Sequence, residues 1–170
     1  NLAGYDFTHA GNDNLLANNK MKYTWIGLAL LVVSNQVLAK TRIVTLAPHL
    51  TEWIYSLELE SQLVAVSAFS DYPAAASALP VVADYQGVDF TALMALEPDL
   101  ILAWGGGNKP QDIARLKSLG FDVFVSQPKT LDDIATELSA LAAKLDKAEL
   151  ARQLTQQYRA QLQSIQSLYA

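Results

Sequence analysis

Residues 98–108 read Pro98-Asp99-Leu100-Ile101-Leu102-Ala103-Trp104-Gly105-Gly106-Gly107-Asn108, a short apolar run that enters an indole and then three glycines. Leu100–Ala103 is apolar in both phases of a two-residue repeat, the pattern of a parallel strand covered by helices on both faces. In open α/β sheets, ligands bind outside the carboxyl ends of the strands. Trp104, at the strand exit, is therefore a candidate recognition surface. The same residues also suit a core tryptophan followed by a flexible turn, because aromatics supply much core area.

Outward from this strand the elements alternate. Arg42-Ile43-Val44-Thr45-Leu46 is short and β-branched and predicts a strand that Pro48 ends. Leu50, Trp53, Ile54 and Leu57 follow on one face at helical spacing. Leu63–Ser67 predicts a second strand, delivering the turn-rich Phe69-Ser70-Asp71-Tyr72-Pro73. A brief extended piece at Val81-Val82 leads into Asp84-Tyr85-Gln86-Gly87. Asp89 is placed to cap a helix over Phe90–Leu96, and Pro98 stops it. Lys109–Leu119 reads as a helix closed by Gly120, and Phe121–Val125 as the next strand.

Thr130-Leu131-Asp132-Asp133 resembles a capping box with Asp in place of Glu. No breaker follows, so the spacing predicts one helix over 131–170, bent at most near Lys144–Lys147. Such a helix is on the order of 60 Å long, longer than the lobe it leaves, and would pack on a second lobe or a second copy. The whole order, β-α-β-β-α-β-α-β-α, predicts an α/β fold: a single doubly wound, mainly parallel, Rossmann-like lobe ending in a long α-helix. Right-handed crossovers put the exits carrying Phe69, Tyr85 and Trp104 on one edge. Three rings there form a flat, polarisable surface suited to a large planar or macrocyclic ligand.

Four segments follow from composition. Residues 1–20 are rich in Asn and Gly and precede the first Met, reading as a non-native upstream extension. In 21–39, Met21-Lys22 opens a basic start, Trp25–Val33 is apolar, and Val37 and Ala39 are small, the parts of a secretory signal peptide cleaved after Ala39. Its apolar run falls short of the roughly 20 residues that span a bilayer. Residues 40–130 form the α/β lobe and 131–170 the long helix. With no cysteine, an exported chain forgoes disulfides and relies on its core.

The net charge of −5, with no basic run, opposes binding to nucleic acid. Gly105-Gly106-Gly107-Asn108 lacks the frames of a dinucleotide fingerprint and a P-loop. His49 with Glu52 and Asp71 supplies too few ligands for a metal, and His49 reads as a loop or helix-start residue. No Ser or Cys pairs with a histidine in a nucleophile motif. Glu58 and Glu60, two apart, do not face each other on a helix. No enzyme, catalytic residue, metal site or cofactor is expected.

Arg42-Ile43-Val44-Thr45-Leu46-Ala47-Pro48 with Thr51-Glu52, Val66-Ser67-Ala68-Phe69-Ser70-Asp71-Tyr72-Pro73, Tyr85-Gln86-Gly87, Ala95-Leu96-Glu97-Pro98-Asp99-Leu100 and Ala103-Trp104-Gly105-Gly106-Gly107-Asn108 carry a resemblance. From about Arg42 to Lys147, in order and spacing, the chain resembles the N-terminal half of the cobalamin (vitamin B12) periplasmic binding proteins of ABC importers. These belong to the helical-backbone (class III) group, which carries cobalamin, haem and iron-siderophores. The Leu-x-Pro-Asp-Leu phrase is common to that whole group.

The resemblance implies two α/β lobes joined by one long helix, with ligand in the cleft between them. It implies a periplasmic carrier that captures cobalamin as transported ligand and delivers it to the permease subunits at the inner membrane. Phe69, Tyr85 and Trp104 would line this lobe's half of the corrinoid site. Enterobacterial members have Tyr at the position of Phe69 and Trp at that of Tyr85; both changes keep an aromatic face. The acidic permease contact of this lobe falls at Thr91, leaving Asp89 as the nearby docking candidate. The chain stops at Ala170, inside or just beyond the interlobe-type helix, so the C-terminal lobe is expected to be absent. The alternatives are a haem or iron-siderophore carrier of the same fold, and an α/β interaction protein that dimerises through its long helix.

Overall fold

A computed structural model describes residues 40–169. The readings of 1–20 as an upstream extension and 21–39 as a signal peptide lie outside these residues. The described chain runs β1 (Ile43–Thr45), α1 (Pro48–Ser56), β2 (Leu63–Ser67), β3 (Val81–Asp84), β4 (Gly87–Val88), α2 (Phe90–Ala95), β5 (Leu100–Trp104), α3 (Pro110–Ser118), β6 (Val123–Ser126), α4 (Leu131–Lys144) and α5 (Ala148–Leu168). Short 3₁₀ turns at Glu60–Gln62 and Ala74–Ala78 precede β2 and β3.

One sheet holds all the strands, in the order β4-β3-β2-β1-β5-β6. Every pairing is parallel except β3 with β4. The apolar run at residues 100–103 behaves as a strand covered on both faces: Leu100, Ile101, Leu102 and Ala103 are all buried. Alternation then sorts them. Leu100 and Leu102 join Ile43, Leu50, Ile54, Leu138 and Leu141 on the face covered by α1, α4 and α5. Ile101 and Ala103 join Val44, Val82, Leu93 and Leu116 under α2 and α3. Truncating a leucine in such a core costs about 2–5 kcal/mol.

The structure adds one strand that periodicity does not show. Gly87–Val88 turns back on β3 to pair Asp84 with Gly87 and Ala83 with Val88, making Asp84–Gly87 a tight hairpin with Tyr85 and Gln86 at its tip. Two residues are too few to carry a period; only the backbone pairing identifies them.

A second difference corrects the expectation of one helix over 131–170. The capping box at Thr130 is present, its hydroxyl accepting from the Asp133 amide while Asp133 accepts from the Thr130 amide. The backbone N–H bonds from Lys129 and Thr130 hold the Asp133 carboxyl below its ordinary range. The helix then ends at Lys144. Asp146 is left-handed (φ 57°), and the Lys147 amide closes onto the Ala142 carbonyl at 2.8 Å, a helix-ending turn of the Schellman kind. An aspartate in the usual glycine place hides this stop from sequence reading; Asp tolerates αL because its short side chain bonds locally. After the turn α5 folds back along α4. Tyr158 Oη donates to the Leu131 carbonyl at 3.0 Å, and Arg159 Nε pairs with Asp132 Oδ1 at 2.7 Å. The long rod is thus a helical hairpin, and α5, with 21 residues, spans about 31 Å. A dimer built on a continuous overhanging helix loses its premise.

Other helix ends follow the same chemistry. Gly120 (φ 88°) closes α3, with Gly120 N–H bonded to Lys117 O and Phe121 N–H to Leu116 O. The same pair of bonds closes α1 through Glu58 N–H to Tyr55 O and Leu59 N–H to Ile54 O, but here the left-handed residue is Glu58 (φ 54°). Glu58→Gly removes that steric penalty and is expected to raise unfolding stability by about 0.5–1 kcal/mol, the αL relief less the entropy of a glycine. Urea denaturation of the two proteins measures it.

Candidate ligand-binding site

Because β1, β2, β3, β5 and β6 are mutually parallel, all their carboxyl ends meet one edge of the sheet. In strand order that edge carries Tyr85 after β3, Phe69 after β2, His49 after β1, Trp104 at the end of β5 and Gln127 after β6. Phe69 and Tyr85 are 81% and 83% exposed and Trp104 39%. Tyr85 and Phe69 contribute nothing to the core, and Trp104 only part of its ring. The reading of Trp104 as a wholly interior residue does not hold.

Each ring is held by a different device. Trp104 depends on the glycines after it. A Cβ added to Gly107 would overlap the six-membered ring of the indole, and one on Gly106 would lie 3.0 Å from its Nε1. The indole therefore lies flat against backbone, and the glycines are there because it fills the space of their side chains. Asn108 completes the turn: its Oδ1 accepts from the Trp104 amide at 2.7 Å, and its Nδ2 donates to the Leu46 carbonyl at 2.8 Å, tying the exits of β5 and β1 together.

Phe69 is held by hydroxyls. Its backbone is left-handed (φ 66°), a conformation rare for an aromatic. Beneath it runs a buried ladder: Thr45 Oγ1 to Thr51 Oγ1 at 2.6 Å, Thr51 Oγ1 to Ser70 Oγ at 3.1 Å, and Ser70 Oγ to Ser67 Oγ at 3.1 Å. These bonds join the ends of β1 and β2 to α1 and fix the turn that projects Phe69 outward. A cavity of about 200 Å³ opens beside the ring, between Ser70, Asp71 and the Ala74–Ala78 turn. Tyr85 stands on the hairpin tip, its hydroxyl accepting from Gln86 Nε2 at 3.2 Å.

His49 is the residue that sequence reading left outside the site. Standing between the exits of Phe69 and Trp104, its ring meets Trp104 edge-on at 5.4 Å and Trp53 edge-on at 5.9 Å between centroids. Among the described residues these are the aromatic ring pairs, so Phe69 and Tyr85 share an edge with Trp104 without touching it. The available clue was strand order: once β1 lies between β2 and β5, whatever follows Pro48 must lie between Phe69 and Trp104. Burial pushes the His49 imidazole below its ordinary range, against the opposing pull of the Glu52 and Glu137 carboxylates. Glu137 is itself engaged by Ser126 Oγ at 2.6 Å and the Gln127 amide at 3.1 Å.

Asp89 takes the capping role, its Oδ1 accepting from the Ala92 amide at 3.0 Å. Its own amide bonds to Val82 O, setting it back along β3 from the edge that bears the rings. Asp89 and Thr91 are both exposed. Among the described residues no three His, Cys, Asp or Glu side chains gather as a metal-binding group.

A doubly wound α/β lobe with aromatic side chains gathered at its strand exits is the class of architecture defined so far. Residues 43–170 match the family of periplasmic binding proteins, and the chain belongs to that family. It is 40% identical over 149 residues to the vitamin B12-binding protein of Vibrio cholerae serotype O1, covering 85% of this chain and 54% of that protein. The crystal structure of the periplasmic vitamin B12 binding protein BtuF of Vibrio cholerae superposes with a TM-score of 0.71 at 42% identity, over 75% of this chain and 50% of the other. A periplasmic heme binding protein from Pseudomonas aeruginosa superposes with a TM-score of 0.67 at 26% identity, over 73% and 45%. The chain spans about half the length of the curated relatives it matches.

The His49 environment has a consequence for acid stability. The folded-state value lies below the unfolded value of 6.5, so between the two the unfolded chain binds the extra proton. This contribution is lost as pH falls through the unfolded value and below. Melting temperatures measured from about pH 7.5 to about pH 5 should fall less steeply for His49→Phe than for the parent chain.

Proposed function

We propose that this chain is the cobalamin-capturing lobe of a periplasmic binding protein serving an ABC importer, with Phe69, Tyr85 and Trp104 as its corrinoid-contacting wall. The observation that carries the reading is the arrangement at Trp104: the indole packs on the glycine run, stands at right angles to the His49 ring, and the residue is still 39% exposed. A flat ring anchored on one side and open on the other suits a flat ligand. The vitamin B12-binding relatives support cobalamin as that ligand.

Binding by such a wall is desolvation and stacking. A macrocycle laid across the rings removes apolar area from water at roughly 25 cal/mol per Å², and aromatic stacking adds about 0.5–1.5 kcal/mol per ring pair. Rings pre-set by backbone and hydroxyl contacts lose little freedom on binding, which favours affinity. The task is capture and release, without bond making or breaking. In the whole protein, the opposite wall comes from the part of the relatives' length that this chain does not span. Residues 40–144 form the lobe, because α4 packs into its core; α5 is the interlobe-type connection, and 21–39 direct export to the periplasm.

Titrating the chain with cyanocobalamin while following tryptophan emission is expected to give saturable quenching, and Trp104→Ala to weaken binding by about 1–3 kcal/mol. Quenching by hemin with none by cyanocobalamin would move the assignment to a haem carrier. Unaltered affinity with lowered stability in Trp104→Ala would return the indole to a packing role.

Delivery to the permease places a negative contact on this lobe, and Asp89 is the proposed one. Asn caps helices as well as Asp, so Asp89→Asn removes charge while keeping α2 intact. It should lower binding to permease-containing liposomes and leave cyanocobalamin affinity unchanged. Equal permease binding by both proteins would remove Asp89 from docking.

A further inference from the structure

Tyr85 and Trp104 sit on strands that are not neighbours. In the order β3-β2-β1-β5 three strand spacings separate them, about 14 Å of sheet at 4.7–4.9 Å per step. The hairpin that carries Tyr85 is also the sheet's edge, closed by only two residues of β4. Ladder bonds alone would leave its tip free to swing.

The tip is held from elsewhere. Lys109 Nζ donates to the Gln86 carbonyl at 2.7 Å, and Asp112 Oδ2 accepts from the Val88 amide at 3.2 Å. Lys109 and Asp112 belong to the start of α3, which follows directly from the Trp104 turn. The approach is close enough to require glycine: Gly87 has φ 121°, and a Cβ there would lie 2.7 Å from Asp112 Oδ2 and 3.8 Å from the Lys109 stem. Within the hairpin, Asp84 Oδ1 accepts from the Gln86 amide at 2.7 Å, so both sides of the tip are bonded. One residue before Lys109, Asn108 ties the Trp104 amide to the Leu46 carbonyl.

We infer that Asn108, Lys109 and Asp112 form a clamp that holds Tyr85 and Trp104 at a fixed separation, making them positioning residues for binding a rigid planar ligand. The inference rests on the proposed ligand face. Asn108 sets where β5 ends, and Lys109 and Asp112 carry that position across the sheet to the hairpin. A corrinoid or other rigid macrocycle cannot adjust to two rings that drift independently, so their spacing is worth fixing before the ligand arrives. Lys109 is exposed, which makes a role in core stability an inadequate account of its bond.

The test is a double-mutant cycle with cyanocobalamin as probe. Lys109→Met should raise Kd about 3- to 10-fold, the range of one net hydrogen bond, and Lys109→Arg, which keeps an N–H donor, should restore most of it. In a Tyr85→Ala background the Lys109→Met change should disappear, because the ring it positions is gone. An equal loss in both backgrounds overturns the clamp, as does a Lys109→Met protein that binds like the parent while Tyr85→Ala binds worse. If Tyr85→Ala itself binds normally, the ligand reading of Tyr85 fails, and amide hydrogen exchange then decides the clamp alone. Exchange at Gln86–Val88 should speed up in Lys109→Met and Asp112→Ala while amides of β1 and β5 stay unchanged. Unchanged exchange at the hairpin overturns it.

Discussion

Two-sided burial of β5 is the constraint from which the lobe follows. Leu100 and Leu102 require cover on one face and Ile101 and Ala103 on the other, so helices must lie on both sides of the sheet. Helical cover on both sides requires crossover connections, crossovers make the strands parallel, and parallel strands bring their carboxyl ends to one edge. The gathering of Tyr85, Phe69, His49 and Trp104 is a by-product of how the core is kept dry. Only the antiparallel β4 departs from that rule, and it does so to build the hairpin that carries Tyr85.

At that edge, exposed aromatic area is held in place by polar and backbone contacts underneath. Thr45, Thr51, Ser67 and Ser70 are buried, and their hydroxyls satisfy one another along the ladder below Phe69. Among the described residues no buried side-chain polar atom lacks a partner, so the ladder carries no desolvation debt. The left-handed backbone of Phe69 is tolerable because its neighbours on either side are bonded into β2, β3 and α1. Glycine does the complementary work at Gly106 and Gly107, where absent side chains admit the indole. In each case the ring is exposed and its foundation rigid, the combination expected of a recognition surface that is formed before its ligand.

Much of this was legible without coordinates. The apolar run 100–103, the capping box at Thr130 and the proline and glycine stops near Pro48, Pro98 and Gly120 are local signals, and the structure follows them. The features that were not legible share a cause. β4 is too short to show a period, Asp146 ends a helix where glycine is the usual sign, and His49 belongs to the edge only through a strand order that places β1 between β2 and β5. Lys109 and Asp112 read as an ordinary helix start. Their bonds reach 23 and 24 residues back, a separation at which no local pattern reports contact.

The sequence by itself determined which residues are apolar on which period, and with that the α/β class, the parallel core and the placing of three aromatic residues at or just beyond strand ends. Those are consequences of side-chain chemistry acting over a few residues. Only the tertiary structure decided which exits stand side by side, that the terminal helix doubles back at Asp146, and that the Trp104 turn reaches across the sheet to the Tyr85 hairpin. Those depend on strand order and on hydrogen bonds between distant segments, whose partners are chosen by packing.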